Sequence, residues 1–183
     1  MAKIFLIAGE ASGDLHASNL MRELRNKDAS IECRGLGGEL MEAQGLHLLK
    51  HYREMAFMGF AEVIANLRTI LRNIKQTKAW IEEFKPDVLV LIDYPGFNMR
   101  IATWAKERGI KVVYYISPQV WAWKEGRVKT LKASVDKMLC ILPFEVDFYA
   151  KHGMHADFVG HPLLDAVARY EKKEDFREKW GLV

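Results

Sequence analysis

Apolar residues in this chain follow two rhythms that alternate from one end to the other. Short runs of branched and aliphatic side chains at Lys3 to Ala8, Ile31 to Leu36, Val88 to Ile92, Lys111 to Ile116, Lys137 to Leu142 and His155 to Val159 have strand length. The central ones lack polar alternation, as strands covered on both faces do. Between them, apolar positions recur at helical spacing over Leu15 to about Arg25, Glu39 to Gln44, a long stretch ending at Phe84 before Pro86, Asn98 to Arg108, Lys124 to Ser134 and Phe144 to about His152. Leu46 to Leu49 reads as a further strand, and Gly45, Gly109 and Gly153 close helices. The pattern predicts an α/β fold: one Rossmann-like, doubly wound parallel sheet of about six or seven strands with right-handed crossovers. The chain has no internal repeat, low-complexity tract or obvious linker.

In such a sheet the loops leaving the carboxyl ends of the strands share one rim, and ligands bind there. Asp93 directly follows the apolar run Val88 to Ile92 and precedes Tyr94, Pro95 and Gly96. It is either a chemical group at the rim or the organiser of a turn through its own side chain. The first strand runs into Gly9, Glu10, Ala11, Ser12, Gly13 and Asp14. Asp14 is placed to cap the following helix, and the loop amides face an anion or simply pack tightly. The second strand ends in Gly35, Gly37 and Gly38, a second glycine-rich turn at the same rim. Trp121 and Trp123 after Ser117-Pro118 line a pocket or pack beneath one, and His161 points to the same edge.

Composition narrows the classes. The 183 residues are 50% apolar and 28% charged with a formal charge of +3, a globular balance too nearly neutral to imply nucleic acid. Cys33 and Cys140 lie far apart in predicted strands without metal-ligand spacing, so they read as buried reduced thiols of a cytosolic protein. The apolar run after Lys3 is too short for a signal peptide or a membrane span. Charge is distributed unevenly in one place. Arg68, Arg72, Lys75 and Lys78 form a basic stripe on the long helix, with no acidic residue between Glu62 and Glu82, beside Met55, Phe57, Met58 and Phe60. Such a segment either rests on an anionic membrane or presents an ordinary solvated face.

Taken together, GEASGD at Gly9 to Asp14, GLGG at Gly35 to Gly38, MGFAEV at Met58 to Val63, IDYPGFN at Ile92 to Asn98, SPQVWAW at Ser117 to Trp123, LPFE at Leu142 to Glu145 and VGHPL at Val159 to Leu163 resemble the lipid-A-disaccharide synthase family over nearly the whole chain. The resemblance implies an inverting, metal-independent GT-B glycosyltransferase without cofactors. It would join 2,3-diacylglucosamine from its UDP donor to the 6-hydroxyl of 2,3-diacylglucosamine 1-phosphate in the Gram-negative lipid A (lipopolysaccharide) pathway, releasing UDP. It further implies a peripheral protein on the cytoplasmic face of the inner membrane, with Met55, Phe57, Met58, Phe60, Arg68, Arg72 and Lys75 as the lipid contacts; homo-oligomerisation is left open. Asp93 matches the catalytic base. Glu10, Ser12, Gly13 and Asp14 would hydrogen-bond acceptor or donor phosphates, while Trp121 and His161 shape the cleft. Gly96 stands where the family often carries a second Asp.

On this reading residues 1–170 form the acceptor-side domain and 171–183 begin the connection to a donor-binding domain that is absent here. A competing class is a non-catalytic Rossmann-like module that binds lipid or nucleotide. An oxidoreductase domain is disfavoured, because the first loop lacks GxGxxG and no acidic residue closes the second strand.

Overall fold

A computed structural model of the chain describes residues 1–55, 67–168 and 180–181. Among them, seven strands form one sheet: β1 (Lys3–Ala8), β2 (Glu32–Gly37), β3 (His47–His51), β4 (Val88–Ile92), β5 (Lys111–Tyr115), β6 (Lys137–Cys140) and β7 (Asp157–Phe158). All six pairings are parallel, in the order β3-β2-β1-β4-β5-β6-β7. The winding reverses between β1 and β4, so the crevice of a doubly wound sheet opens there. Ala8 and Ile92 are register partners across that gap, which sets Gly9 beside Asp93.

Seven helices are labelled α1 (Ala11–Lys27), α2 (Glu39–Ala43), α3 (Leu67–Phe84), α4 (Pro95–Glu107), α5 (Val128–Ser134), α6 (Pro143–Lys151) and α7 (Pro162–Ala168). Alternate residues of the central strands go to opposite cores, as the period of two requires. Phe5, Ile7, Leu89 and Leu91 pack with Ile81 of α3, Phe97 and Trp104 of α4, Leu131 of α5 and Tyr149 of α6. Ile4, Leu6, Ala8, Val90 and Ile92 pack with Ala17 and Met21 of α1 and Met41 of α2. Cys33 and Cys140 are buried and unpaired.

Two helices begin earlier than expected. α1 starts at Ala11 rather than Leu15, and α4 at Pro95 rather than Asn98, so part of each predicted loop is the first helical turn. Pro95 is well suited to that position, since its missing N–H would have had no partner there. Helical spacing in the sequence sets Val63, Ile64, Leu67, Ile70, Leu71 and Ile74 on one apolar face of the stretch that includes α3. Val63 and Ile64 lie outside the described residues, and the rest of that face is only partly the buried one. Ile74, Thr77, Ile81 and Phe84 turn inward at three- and four-residue spacing, whereas Leu67 and Leu71 are 48% and 52% exposed. Asn73 is buried and accepts a hydrogen bond from Lys50 Nζ at 3.0 Å.

Candidate functional site

The site is organised around a strained turn. Asp93 and Tyr94 both adopt left-handed backbone (φ 42° and 48°), and Ile116 at the end of β5 does so too (φ 64°). Such conformations cost about 1–3 kcal/mol each in residues other than glycine and persist where the surroundings over-determine them. Here they do. Asn98 is fully buried, and its Nδ2 donates to the Ile92 carbonyl at 3.2 Å and the Asp93 carbonyl at 2.8 Å. The Tyr114 hydroxyl donates to the same Asp93 carbonyl at 2.6 Å, and the Asp93 amide donates to Tyr115 O at 3.2 Å.

Fixed in this way, the Asp93 carboxyl is pushed up to about 6, first by burial and second by the negative charge of Glu10, with the Tyr94 amide acting in the opposite sense. Burial and the Glu10 charge also raise the Tyr94 phenol. The Tyr94 ring leans over Gly9, where an added Cβ would lie 2.3 Å from ring carbon Cδ1, so the close approach requires glycine. Its hydroxyl donates to the Met55 carbonyl at 3.0 Å, tying the aspartate turn to the chain that leaves β3.

Glu10 and Ser12 are exposed at the start of α1, beside this turn. Gly13 and Asp14, expected at the substrate, are buried, and that is a correction. A Cβ at Gly13 would meet Ala8 Cβ at 3.2 Å, so its role is helix-on-strand packing. Asp14 does not cap its own helix either. Its Oδ1 accepts from the amides of Gly38 (2.8 Å) and Met41 (3.0 Å) and its Oδ2 from Leu40 (3.1 Å), capping α2 from a neighbouring helix. Gly38 leaves room for it, since a Cβ there would lie 2.6 Å from Asp14 Oδ2.

Trp121, 36% exposed, meets the Phe144 ring edge-on at 5.0 Å, forming an aromatic wall at the ends of β5 and β6. His161 is half-buried and close enough to His16 of α1 that its charge lowers the His16 pKa, an effect secondary to burial. Of the residues expected at a membrane, Phe57, Met58 and Phe60 lie outside the described residues. Met55 is 1% exposed and part of the core, which excludes it as a lipid contact. Arg68, Arg72 and Lys75 are exposed on α3. Lys78 instead sits over the Trp104 ring at 5.4 Å. Tyr94, Asn98 and Tyr114 were not singled out from the sequence. The place of Asn98 in the IDYPGFN motif was the available signal, whereas Tyr114 sits inside an apolar run and offered none.

Comparison with known proteins places these features in a family. A profile of lipid-A-disaccharide synthetase matches residues 4–182. Lipid-A-disaccharide synthases of Myxococcus xanthus and Geobacter metallireducens are 45% and 46% identical over 180 residues, covering 98% of this chain and 47% of each relative. Lipid-A-disaccharide synthase 1 of Legionella pneumophila is 40% identical over 182 residues. The chain therefore spans about half the length of the curated relatives it matches. Solved structures share the fold at low identity. A putative UDP-N-acetylglucosamine 2-epimerase from Listeria monocytogenes superposes with a TM-score of 0.70 at 10% identity over 97% of this chain and 50% of that one. A UDP-GlcNAc 2-epimerase from Neisseria meningitidis bound to UDP-GlcNAc superposes with 0.67 at 10% identity over 91% and 48%.

Proposed function

This chain belongs to the lipid-A-disaccharide synthetase family, and from that premise we propose that it forms the acceptor-side part of a glycosyltransferase that builds the lipid A disaccharide. The 6-hydroxyl oxygen of 2,3-diacylglucosamine 1-phosphate attacks the anomeric carbon of UDP-2,3-diacylglucosamine. The new glycosidic bond forms as the bond to UDP breaks, UDP leaves with that electron pair, and the hydroxyl proton passes to Asp93. A sugar hydroxyl is a weak nucleophile, so a fixed base beside it is the chief requirement on this side of the cleft.

One observation carries the reading: a strained, part-buried carboxylate at the sheet's switch point whose pKa lies near 6. It is ionised at neutral pH yet a better proton acceptor than an ordinary aspartate. Glu10 supports it in two ways, by raising that pKa and by standing close enough to hydrogen-bond the acceptor. Ser12, Trp121 and His161 frame the sugar. The decisive experiment is Asp93→Asn in the complete protein. Loss of general-base assistance lowers kcat by about 10²–10⁴-fold with little change in acceptor KM. An unchanged kcat would move the base elsewhere, Glu10 being the nearest carboxylate.

The acyl-bearing substrates bring the protein to a lipid surface, and α3 is the element suited to meet it. Leu67 and Leu71 stand exposed beside Arg68, Arg72 and Lys75, so apolar and cationic groups present together, the combination that binds anionic bilayers at their interface. No helix among the described residues is long and apolar enough to cross a membrane. Peripheral attachment at the cytoplasmic face of the inner membrane is thus part of the proposal.

A further inference from the structure

Between the first turn of α4 and the start of α5 lies a cavity of about 320 Å³, lined by Pro95, Gly96, Met99, Arg100, Arg127 and Thr130 among others. It opens at the same rim as Asp93, since Pro95 and Gly96 follow that residue after Tyr94 alone and Arg127 immediately precedes α5. A second cavity of about 450 Å³ continues along the α4–α5 seam and shares Thr103 and Thr130 with the first.

The first cavity is positively charged and uncompensated. Its lining contains two arginines and no carboxylate. Several surface cations elsewhere are paired, among them Lys106 with Asp136, Arg108 with Glu82 and Arg53 with Glu39. Arg100 and Arg127 make no ion pair or hydrogen bond among the described residues. Arg127 also lies near enough to favour ionisation of the Tyr114 phenol, against the stronger opposing effects of burial and the Asp93 charge. That places Arg127 and Asp93 about one buried hydroxyl. Gly96 leaves the mouth open, for a Cβ there would meet nothing within 4 Å. The positive end of the thirteen-residue helix α4 adds to the field of the two guanidinium groups.

We propose that this groove is a phosphate subsite, in which Arg100 and Arg127 grip a phosphate group of the sugar substrate beside the base. Guanidinium groups match phosphate oxygens in charge and in paired hydrogen-bond geometry, so two of them with no internal anion are suited to an external one. The proposal relies on Asp93 being the base only for the owner of the phosphate, which is then the sugar acceptor's monoester rather than the nucleotide's diphosphate.

The test is a titration of the isotope-labelled 183-residue chain with glucosamine 1-phosphate, UDP and inorganic phosphate, followed by NMR at the Gly96 amide. Saturable shifts are expected, strongest for glucosamine 1-phosphate. Arg127→Gln and Arg100→Gln each weaken binding about tenfold or more, as loss of a charge-assisted contact does. Tighter binding of UDP with the same variant pattern also supports the subsite and assigns it to the donor. Absence of shifts at Gly96, or binding that survives both arginine substitutions, overturns the proposal. Asp93→Asn keeps phosphate binding if the groove is the site, while its kcat reports separately on the base, so the two readings fail independently.

Discussion

A carboxylate with a pKa near 6 loses its usefulness as a base once the pH falls below that value. Asp93 must be ionised to take a proton, so kcat/KM in the complete protein is expected to rise with pH up to about 6 and then level off. Burial is the larger cause of the raised value and the Glu10 charge the second. Glu10→Gln removes only the second, which moves the acidic limb of the pH–rate profile to lower pH without returning it to that of a free aspartate. A limb that stays in place would show that Glu10 does not act on the base through its charge. Asp93 was recognisable in the sequence as a polar residue directly after an apolar strand, and Glu10 as one in the glycine-containing loop that follows another. The restraints on Asp93 were not, because Asn98 and Tyr114 reach it through its backbone carbonyl, a contact that depends on a left-handed turn no side-chain pattern announces.

Among the elements, α2 is the one that least explains itself. It has five residues, a glycine in its N-cap position and no capping side chain of its own, and the carboxylate that serves it belongs to α1. Asp14→Ala leaves three amides in and around that turn without their acceptor. It is expected to cost about 3–5 kcal/mol, measurable as a lower midpoint in urea denaturation. A loss below about 1 kcal/mol would mean that water takes over those amides. The same helix α1 illustrates what local sequence conceals. Ala-Ser-Gly-Asp has the composition of a loop, yet it forms the first turn because Ala8 and Ile92 lie beneath Gly13 and leave room for a residue with no side chain. In α3 the period was legible but the phase was not. Helical spacing puts Leu67 and Leu71 on one apolar face with Ile74, yet Ile74 is buried with Ile81, Phe84, Asn73 and Thr77, and the two leucines are exposed. Their exposure makes a prediction for this element. Leu67→Ser with Leu71→Ser reduces binding of the complete protein to vesicles containing anionic lipid by about tenfold or more, the scale of two buried aliphatic side chains, and leaves its thermal midpoint nearly unchanged. A fall in the midpoint instead would identify the pair as packing residues.

At the scale of the whole molecule, the parallel sheet and its single active rim were readable from apolar runs and the polar residues that end them, because a strand covered on both faces has few other ways to be written. β7 was expected to span five residues and spans two, Asp157 and Phe158, with the Val159 amide making one last bond to the Cys140 carbonyl of β6. The chain holds a part-buried carboxyl at the rim, an aromatic wall and a cationic groove, and spans about half of its relatives' length. On the proposed division of labour, the 183-residue chain by itself has little or no transferase activity, because contacts to the departing UDP lie in the other half. Turnover by this chain equal to that of a complete relative would refute that division. The phenol of Tyr94 has a bearing on how such proteins can drift over generations. Its ring occupies the space into which a side chain at position 9 would grow, and its hydroxyl holds the backbone carbonyl of residue 55. A side chain gained at position 9 is therefore tolerable only alongside a change in the tyrosine, so these two sites, distant in the gene, are bound to vary together, whereas position 55 is held through its main chain and is not tied to them by this contact.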